Sequence, residues 1–345
     1  MDYLLGRLLD PLLLAFHPAE RLYWLYLASA LAIALVLFVF RLPKESLSLQ
    51  AVMRFCLPKK ILLHRSALVD YKFFVVNRVV FGILMLPAAP AAALAAAAGT
   101  SAALLATLGA PAAPLVPGAR WLLLQTLASA LAMDFGLFLA HRLQHTVPLL
   151  WEFHKVHHSA EVLTPVTAYR MHPVDDLLSM GLSGALGGLV VGAFQYAQPG
   201  NAGPAVLLGL HAAVFVYYLA GFNLRHSHVW LSYGPWLSRF LISPAQHQIH
   251  HSAAERHFGK NLGFIFAFWD GLFGTLYVPR QLERLEFGLS EGESARYQGV
   301  RRLYFLPFAN ALRGSVRPAA LVALGAVLLA VCAQSIGVLA VAMGK

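Results

Sequence analysis

Apolar runs long enough to cross a bilayer alternate along this chain with short polar segments, a pattern that predicts an all-α, polytopic membrane helical bundle. The runs cover residues 22–40, 79–98, 121–140, 177–194, 205–222 and 319–341, so about five to six spans are expected. Pro87 and Pro90 should kink the second run, which membrane helices tolerate because neighbours satisfy the freed backbone groups. Between the first two runs lie Arg41, Lys44, Arg54, Lys59, Lys60, Arg65, Lys72 and Arg78, and such an excess of positive charge assigns the 41–78 loop to the cytoplasm. Residues 79–119 hold no Lys or Arg, so 99–118, with Pro111, Pro114 and Pro117, reads as an outside loop. The uncharged turn 198–204 reads as another. With this parity every Lys/Arg-rich segment and almost every histidine falls on the cytoplasmic side. The chain then divides into N-terminal spans with a basic cytoplasmic loop (1–120), a histidine-bearing domain (121–280), and a cytoplasmic segment with a last span (281–345).

Composition sharpens this picture. The 345 residues are 59% hydrophobic and only 12% charged, about half the charge of an ordinary soluble domain. The net charge of +10 would suggest nucleic acid in a soluble protein. Here it follows from the basic loops, and no basic helix or aromatic-interleaved patch accompanies it. Cys56 and Cys332 are far apart and form no CxxC, which excludes a disulfide framework or thiolate site. Asp2 and Asp10 surround short apolar runs at the N-terminus, unlike the charged n-region of a secretory signal. The alanine- and leucine-rich composition suits a bacterial inner-membrane protein. The glycines between Gly181 and Gly188 sit inside an apolar run and follow no strand, so they predict close helix packing and not a nucleotide loop.

The candidate chemistry lies in fifteen histidines. His141 and His145 form an HxxxH, His154, His157 and His158 an HxxHH, His226 and His228 an HxH, and His247, His250 and His251 a second HxxHH. Two HxxHH triplets in such a chain arise by chance in well under roughly one sequence in a thousand. Residues three and four apart share a helix face, so each triplet is expected to converge on one point, just beyond the cytoplasmic end of a span. So many imidazoles exceed the needs of one ion, and imidazole suits iron, zinc, copper and nickel. HExxH and the zinc-deaminase pattern are absent. A pair of redox-active irons fits best. Asp134, seven residues before His141 and buried in a span, is the carboxylate expected to serve the site. Glu152, Asp175, Asp176 and Asp270 are further candidates to orient ligands.

These segments resemble the sterol desaturase / fatty acid hydroxylase superfamily. The likeness runs from about Asp134 to Pro279. It includes Leu150-Trp-Glu-Phe-His154-Lys-Val-His157-His158-Ser159, Tyr169-Arg-Met-His172-Pro173, Ser243-Pro-Ala-Gln-His247-Gln-Ile-His250-His251-Ser252 and Phe268-Trp-Asp-Gly-Leu-Phe-Gly-Thr-Leu-Tyr277. The resemblance implies a helical membrane fold with a cytoplasmic cap and two iron ions. It implies ligands at His141, His145, His154, His157, His158, His247, His250 and His251, with His226 or His228 as another and His172 as a ligand or an orienting residue. His17, His64, His211 and His257 match no box. The implied reaction is hydroxylation or desaturation of a lipid with O2, leaving the substrate open among sterols, fatty acyl chains, carotenoids, ornithine lipids and alkylglycerols. No cytochrome b5, flavin or nicotinamide fingerprint is present, so a separate electron-donor protein or reductase is expected. Two rival readings are a histidine-rich metal transporter, which should carry its ligands midway through the spans, and a non-catalytic lipid-binding protein, which should have lost box residues.

Overall fold

Lipid-facing helices invert the soluble pattern, and the helix over residues 119–146 does so clearly. Leu122, Leu123, Leu124, Leu127 and Leu131 are exposed, while Gln125, Thr126 and Ser129 are buried. Leucine is as apolar as a lipid tail, so nothing drives it inward, whereas polar groups must find partners inside the protein. The computed structural model describes residues 13–41, 48–84, 90–111, 118–200 and 203–313. Its main helices are α1 (Trp24–Arg41), α2 (Arg65–Leu84), α3 (Ala91–Leu108), α4 (Ala119–Thr146), α5 (Pro148–His158), α6 (Pro173–Ala197), α7 (Ala212–Leu219), α8 (Pro244–His250) and α9 (Val300–Arg313). One antiparallel hairpin, β1 (Val206–Leu207) with β2 (Leu210–His211), is the sheet found among the described residues. The fold is thus all-α. Three described helices, α3, α4 and α6, are long and apolar enough to cross a membrane, which makes this an integral membrane protein.

Two expected spans are realised differently, and one lies outside the described residues. Residues 79–98 straddle the end of α2 and the start of α3, and α3 continues to Leu108 into the stretch expected as an outside loop. An alanine run with Gly99 and Pro111 reads equally well as helix or linker by hydropathy alone. Residues 205–222 hold the hairpin and the eight-residue α7, and eight residues rise only about 12 Å, too little to cross. The turn is enforced by Leu208 and Gly209, both at positive φ (49° and 81°). The first run appears as α1. The last run, 319–341, and Cys332 lie outside the described residues.

Small residues set how closely α3, α4 and α6 approach. A Cβ on Gly192 would stand 2.3 Å from the Ala97 carbonyl, one on Gly188 2.3 Å from the Ala93 carbonyl, and one on Gly136 2.6 Å from Ser183 Cα. These are backbone contacts that cannot move aside, so α6 packs directly on α3 and α4. Below this bundle the polar segments form the cap. Arg170, fully buried, pairs with Asp70 at 2.6 Å and donates to the Val156 and Tyr297 carbonyls and to Ser159 Oγ. It thereby pins the C-terminal end of α5 to α2 and to the segment before α9.

His172 caps α6. Its Nδ1 accepts from Val174 N at 3.1 Å, and its Nε2 donates to the Tyr304 carbonyl at 3.1 Å. The ring packs against Phe153 and Phe308. The resemblance left it as ligand or orienting residue; both its nitrogens are engaged by backbone, and it joins neither histidine group.

Two outcomes follow. Gly192→Ala should lower stability by about 1–3 kcal/mol through overpacking, read as a fall in the thermal midpoint in detergent. Gly181→Ala, where nothing lies within 4 Å of the new Cβ, should leave it unchanged or raise it. Burial pushes His172 down to about 4, against about 6.5 in an unfolded chain. The unfolded state binds the extra proton between those values, so this stability is complete above pH 6.5 and lost as pH falls toward 4, on the order of 3 kcal/mol. His172→Asn keeps a capping acceptor and should show a shallower acid loss than the parent; equal slopes would assign the loss to other groups.

Candidate metal centre

The site is built where α4 meets α5. Pro148 at the first position of α5 and Val147 in extended conformation reverse the chain after α4. The tight reversal lays His141 and His145, one turn apart on α4, against His154 and His158, one turn apart on α5. The other wall is α8. Ser243 and Gln246 form a buried capping box, with Gln246 N donating to Ser243 Oγ and Ser243 N to Gln246 Oε1, and Pro244 opens the helix. Gln248 Nε2 then donates to the carbonyls of Leu224, Ser227 and Val229 at 2.9–3.1 Å, tying α8 to the 3-10 turn Phe222–His226.

Nine histidines converge in two groups. His141, His145, His154, His158 and His250 form one, and His157, His226, His247 and His251 the other; within each, the nitrogens lie within 4.8 Å of one another. Each HxxHH triplet is therefore split. His154 and His158, at i and i+4, go to the first group, and His157 to the second. His247 and His251 go to the second, and His250 to the first. Convergence of a whole triplet on one point is excluded by helix geometry: adjacent residues such as His157 and His158 point about 100° apart, while i and i+4 differ by about 40°. Of the HxH pair, His226 enters the second group, with Nε2 3.0–3.4 Å from those of His157, His247 and His251. His228 is exposed against Phe55, outside both groups.

The outward nitrogens carry the orientation. His141 Nδ1 lies 2.7 Å from the Leu262 carbonyl, His250 Nδ1 2.9 Å from the Lys260 carbonyl, and His154 Nδ1 2.9 Å from Asp175 Oδ2. Both carbonyls flank Asn261, held at φ 56°, a left-handed conformation that asparagine tolerates. Asn261 is fixed by bonds to the Gln246 carbonyl and Tyr277 N. With each Nδ1–H donated outward, Nε2 presents a lone pair inward. His247 differs. Arg225 Nη2 lies 3.0 Å from its Nδ1, and a guanidinium only donates. A neutral His247 then carries its proton on Nε2, so Arg225 must withdraw or the ring must turn before His247 could bind an ion through that atom.

Carboxylates act at different depths. Asp134, expected to serve the site directly, accepts from Ile265 N (2.7 Å), Phe266 N (3.1 Å) and Trp269 Nε1 (3.0 Å) and touches no histidine of either group. Three donors saturate it, so it anchors the loop after α8. Asp270 holds Leu262 N, Gly263 N and Thr275 Oγ1, setting the carbonyl that meets His141. Asp175 makes the direct contact. Glu152 pairs with Lys155 and Asn310 away from the cage.

The donor set fits metal ions. The Nε2 atoms of His145, His158 and His250 are buried with no hydrogen-bond partner, a costly state unless something else binds them. Two imidazoles on one ion sit up to about 4.2 Å apart, twice a metal–nitrogen distance of about 2.1 Å, close to the observed spread. Burial first, then neighbouring rings and Arg225, hold His157, His158, His226, His247 and His251 well below the usual histidine range and His250 at about 3. They stay neutral, as ligands must. Arg225, Arg170 with Asp70, and the Leu262 and Lys260 carbonyls escape sequence reasoning. A carbonyl leaves no mark in the sequence, whereas an acidic Asp70 inside a basic loop and an arginine beside His226 were available signals.

Known proteins share this part of the chain. A fatty acid hydroxylase family model matches residues 126–275. Ornithine lipid hydroxylase OlsE of Rhizobium tropici is 30% identical over 48% of this chain and 46% of its own length. A Delta(7)-sterol 5(6)-desaturase of Gibberella zeae is 30% identical over 47% and 44%, and alkylglycerol monooxygenase of Homo sapiens 27% over 46% and 32%. The chain thus spans less than half the length of these three relatives. No solved structure matches. The matched residues 126–275 enclose both histidine groups, and over these residues the chain is similar to the sterol desaturase / fatty acid hydroxylase superfamily.

Proposed function

We propose that this chain is a membrane oxygenase that hydroxylates or desaturates a C–H position of a lipid, using O2 and electrons from a separate donor protein. The observation that carries the reading is the paired cage: five and four imidazoles whose nitrogens gather in two groups, with His141, His154 and His250 of the first held from behind. A pair of irons held there would supply the reduction of dioxygen and the oxidising power to remove hydrogen from an unactivated carbon. Hydroxylation consumes one O2, two electrons and two protons and yields the alcohol and one water. Desaturation consumes the same and yields the alkene and two waters. The chain's own residues fix the ligand nitrogens, exclude bulk water, and hold the cage at the ends of α4 and α5, where a lipid reaching in from the bilayer is positioned against it. Placement of that kind decides rate, since small misalignments cost large factors. Hydroxylation, desaturation and monooxygenation of lipids are the activities named for the three relatives, which supports a lipid substrate. The lysines and arginines of residues 41–78 support a cytoplasmic cage in a bacterial inner membrane.

The split triplets give a sharper metal test than loss of all binding. Purified protein should contain about two irons per chain. His250→Ala should empty mainly the five-histidine group, and His157→Ala mainly the four-histidine group, each leaving about one ion by elemental analysis. Unchanged content in both variants would mean that the two groups hold no metal. In cells making the parent chain with a reductase, a lipid that gains one oxygen or loses two hydrogens should appear by mass spectrometry, and both variants should abolish it. If metal is bound but no oxidised lipid forms with any donor tried, the oxygenase reading fails and a binding role replaces it.

A further inference from the structure

A second polar cluster lies beside the cage and includes neither its ligands nor the groups that orient them. Glu20 and Arg21 precede α1, Arg78 lies on α2, Tyr169 ends the 3-10 turn Pro165–Tyr169, and Asp176 stands in the first turn of α6. Arg78 Nη2 pairs with Glu20 Oε1 at 2.5 Å, and the Tyr169 hydroxyl donates to Glu20 Oε2 at 3.1 Å. Arg21 donates through its backbone to the Tyr169 hydroxyl and through Nη1 to the Ala168 carbonyl at 2.8 Å, with its guanidinium 5.7 Å from the Tyr169 ring centroid. The Asp176 carboxylate feels Arg21, Arg78 and Glu20 electrostatically. It keeps accessible surface, and it takes no side-chain hydrogen bond among the described residues. Two buried atoms nearby lack partners: Arg78 Nε, and Oδ1 of Asn223, a residue only 2% exposed whose Nδ2 donates to the Arg21 carbonyl at 2.9 Å.

The cluster adjoins both halves of the cage along the chain. Asp176 follows Asp175, which holds His154 of the first group. Asn223 shares one 3-10 turn with His226 of the second. Two guanidiniums and two carboxylates leave no net charge, and both signs gather at one place. A purely anionic group there would meet Glu20 and Asp176, and a purely cationic one would meet Arg21 and Arg78. An uncharged hydroxyl could donate to a carboxylate or accept from a guanidinium, but it brings no charge to balance either sign. A group bearing an ammonium and an oxyanion answers both, and an acceptor such as Asn223 Oδ1 suits the ammonium.

We infer that Glu20, Arg21, Arg78 and Asp176 form a cradle for the zwitterionic headgroup of a membrane lipid, one carrying an ammonium together with a carboxylate or phosphate. The inference rests on the reading of the chain as a lipid oxygenase. Given that reading, a headgroup held beside His154 and His226 places the oxidised carbon in the headgroup or the first carbons of the chains, not at the far end of an acyl tail.

The test is lipid retention by the purified full chain, with metal content measured on the same samples. The protein is equilibrated in micelles with phosphatidylethanolamine, a lipid whose headgroup is an amino acid with free amine and carboxylate, phosphatidylglycerol and diacylglycerol, and bound lipid is measured by mass spectrometry. The parent should enrich at least one of the two zwitterions over phosphatidylglycerol and diacylglycerol by about tenfold, equivalent to about 1.4 kcal/mol. Preference for the amino-acid lipid identifies a carboxylate as the oxyanion, and preference for phosphatidylethanolamine a phosphate. Asp176→Asn has no side-chain hydrogen bond to lose. It should keep its metal, lose the enrichment and shift toward phosphatidylglycerol, because the cradle becomes net positive. Arg78→Gln should also lose the enrichment without that shift. Equal retention of all four lipids by the parent, or an unchanged ratio in Asp176→Asn, would overturn the cradle. A selective chain with no metal and no oxidised product would instead sink the oxygenase reading and leave the cradle standing.

Discussion

Nine imidazoles packed together stay compatible only while they are neutral, and three of them are held by an engaged outward nitrogen. The rest of the cap answers to that constraint. A protonated ring would be a charge buried among like charges, and an unpartnered outward nitrogen would let a ring turn its lone pair away. The carbonyls of Leu262 and Lys260 and the carboxylate of Asp175 prevent this for three rings. Asn261 and Asp270 hold the backbone that presents those carbonyls. Asp134 holds the next few residues through Ile265 and Phe266. Asp134 and Asp270 are therefore chiefly devices for shaping one loop, and their expense in a low-dielectric site is met by three donors each.

The membrane bundle serves the same end by different means. Among α3, α4 and α6 the driving force is contact and not exclusion of water, so glycines that let backbones meet determine the spacing. That spacing fixes where α4 ends and α6 begins. His141 and His145 ride on one, and Asp175 on the other. Arg170 and Asp70 continue the constraint into the cap by gripping the carbonyl of Val156 between His154 and His157. A shift of α6 against α3 would thus be felt at the His154–Asp175 contact, a dozen or more residues away from any glycine involved.

Function follows from what this rigidity leaves open. The cage is closed on its outer side by backbone. Toward the start of α6 and the turn before His226 it borders charged and amide groups that the fold itself leaves incompletely paired. A site for oxidising a lipid needs both features: ligands that do not move, and an adjoining surface that selects which carbon comes near. The relatives named for ornithine lipid, sterol and alkylglycerol chemistry are similar to this chain over 46–48% of its length. The second feature resides partly in residues such as Glu20, Arg21 and Arg78, which lie outside residues 126–275.

Spacing of three and four along helices marked the histidines as a site, and long uncharged runs marked the membrane helices, because both signals depend on neighbours in sequence. The same local rule also separates i+3 from i+4, so the division of each triplet between two groups was latent in helix geometry, though a single point of convergence was the simpler reading. Tertiary structure decided the rest. It chose His226 over His228, since the 3-10 turn ends at His226 and the chain two residues on carries the His228 ring to solvent. It removed His172 by giving both its nitrogens to backbone, and it turned Asp134 from a partner of histidines into an anchor for the loop near Phe266. It made α7 short, because the run at 205–222 is apolar whether it is helix or hairpin. Carbonyls that orient His141 and His250 belong to residues whose side chains play no part, and every residue has a carbonyl. Hydropathy and spacing report what lies within a few residues of a position, whereas which group from a hundred residues away arrives opposite a nitrogen depends on how the whole chain is packed.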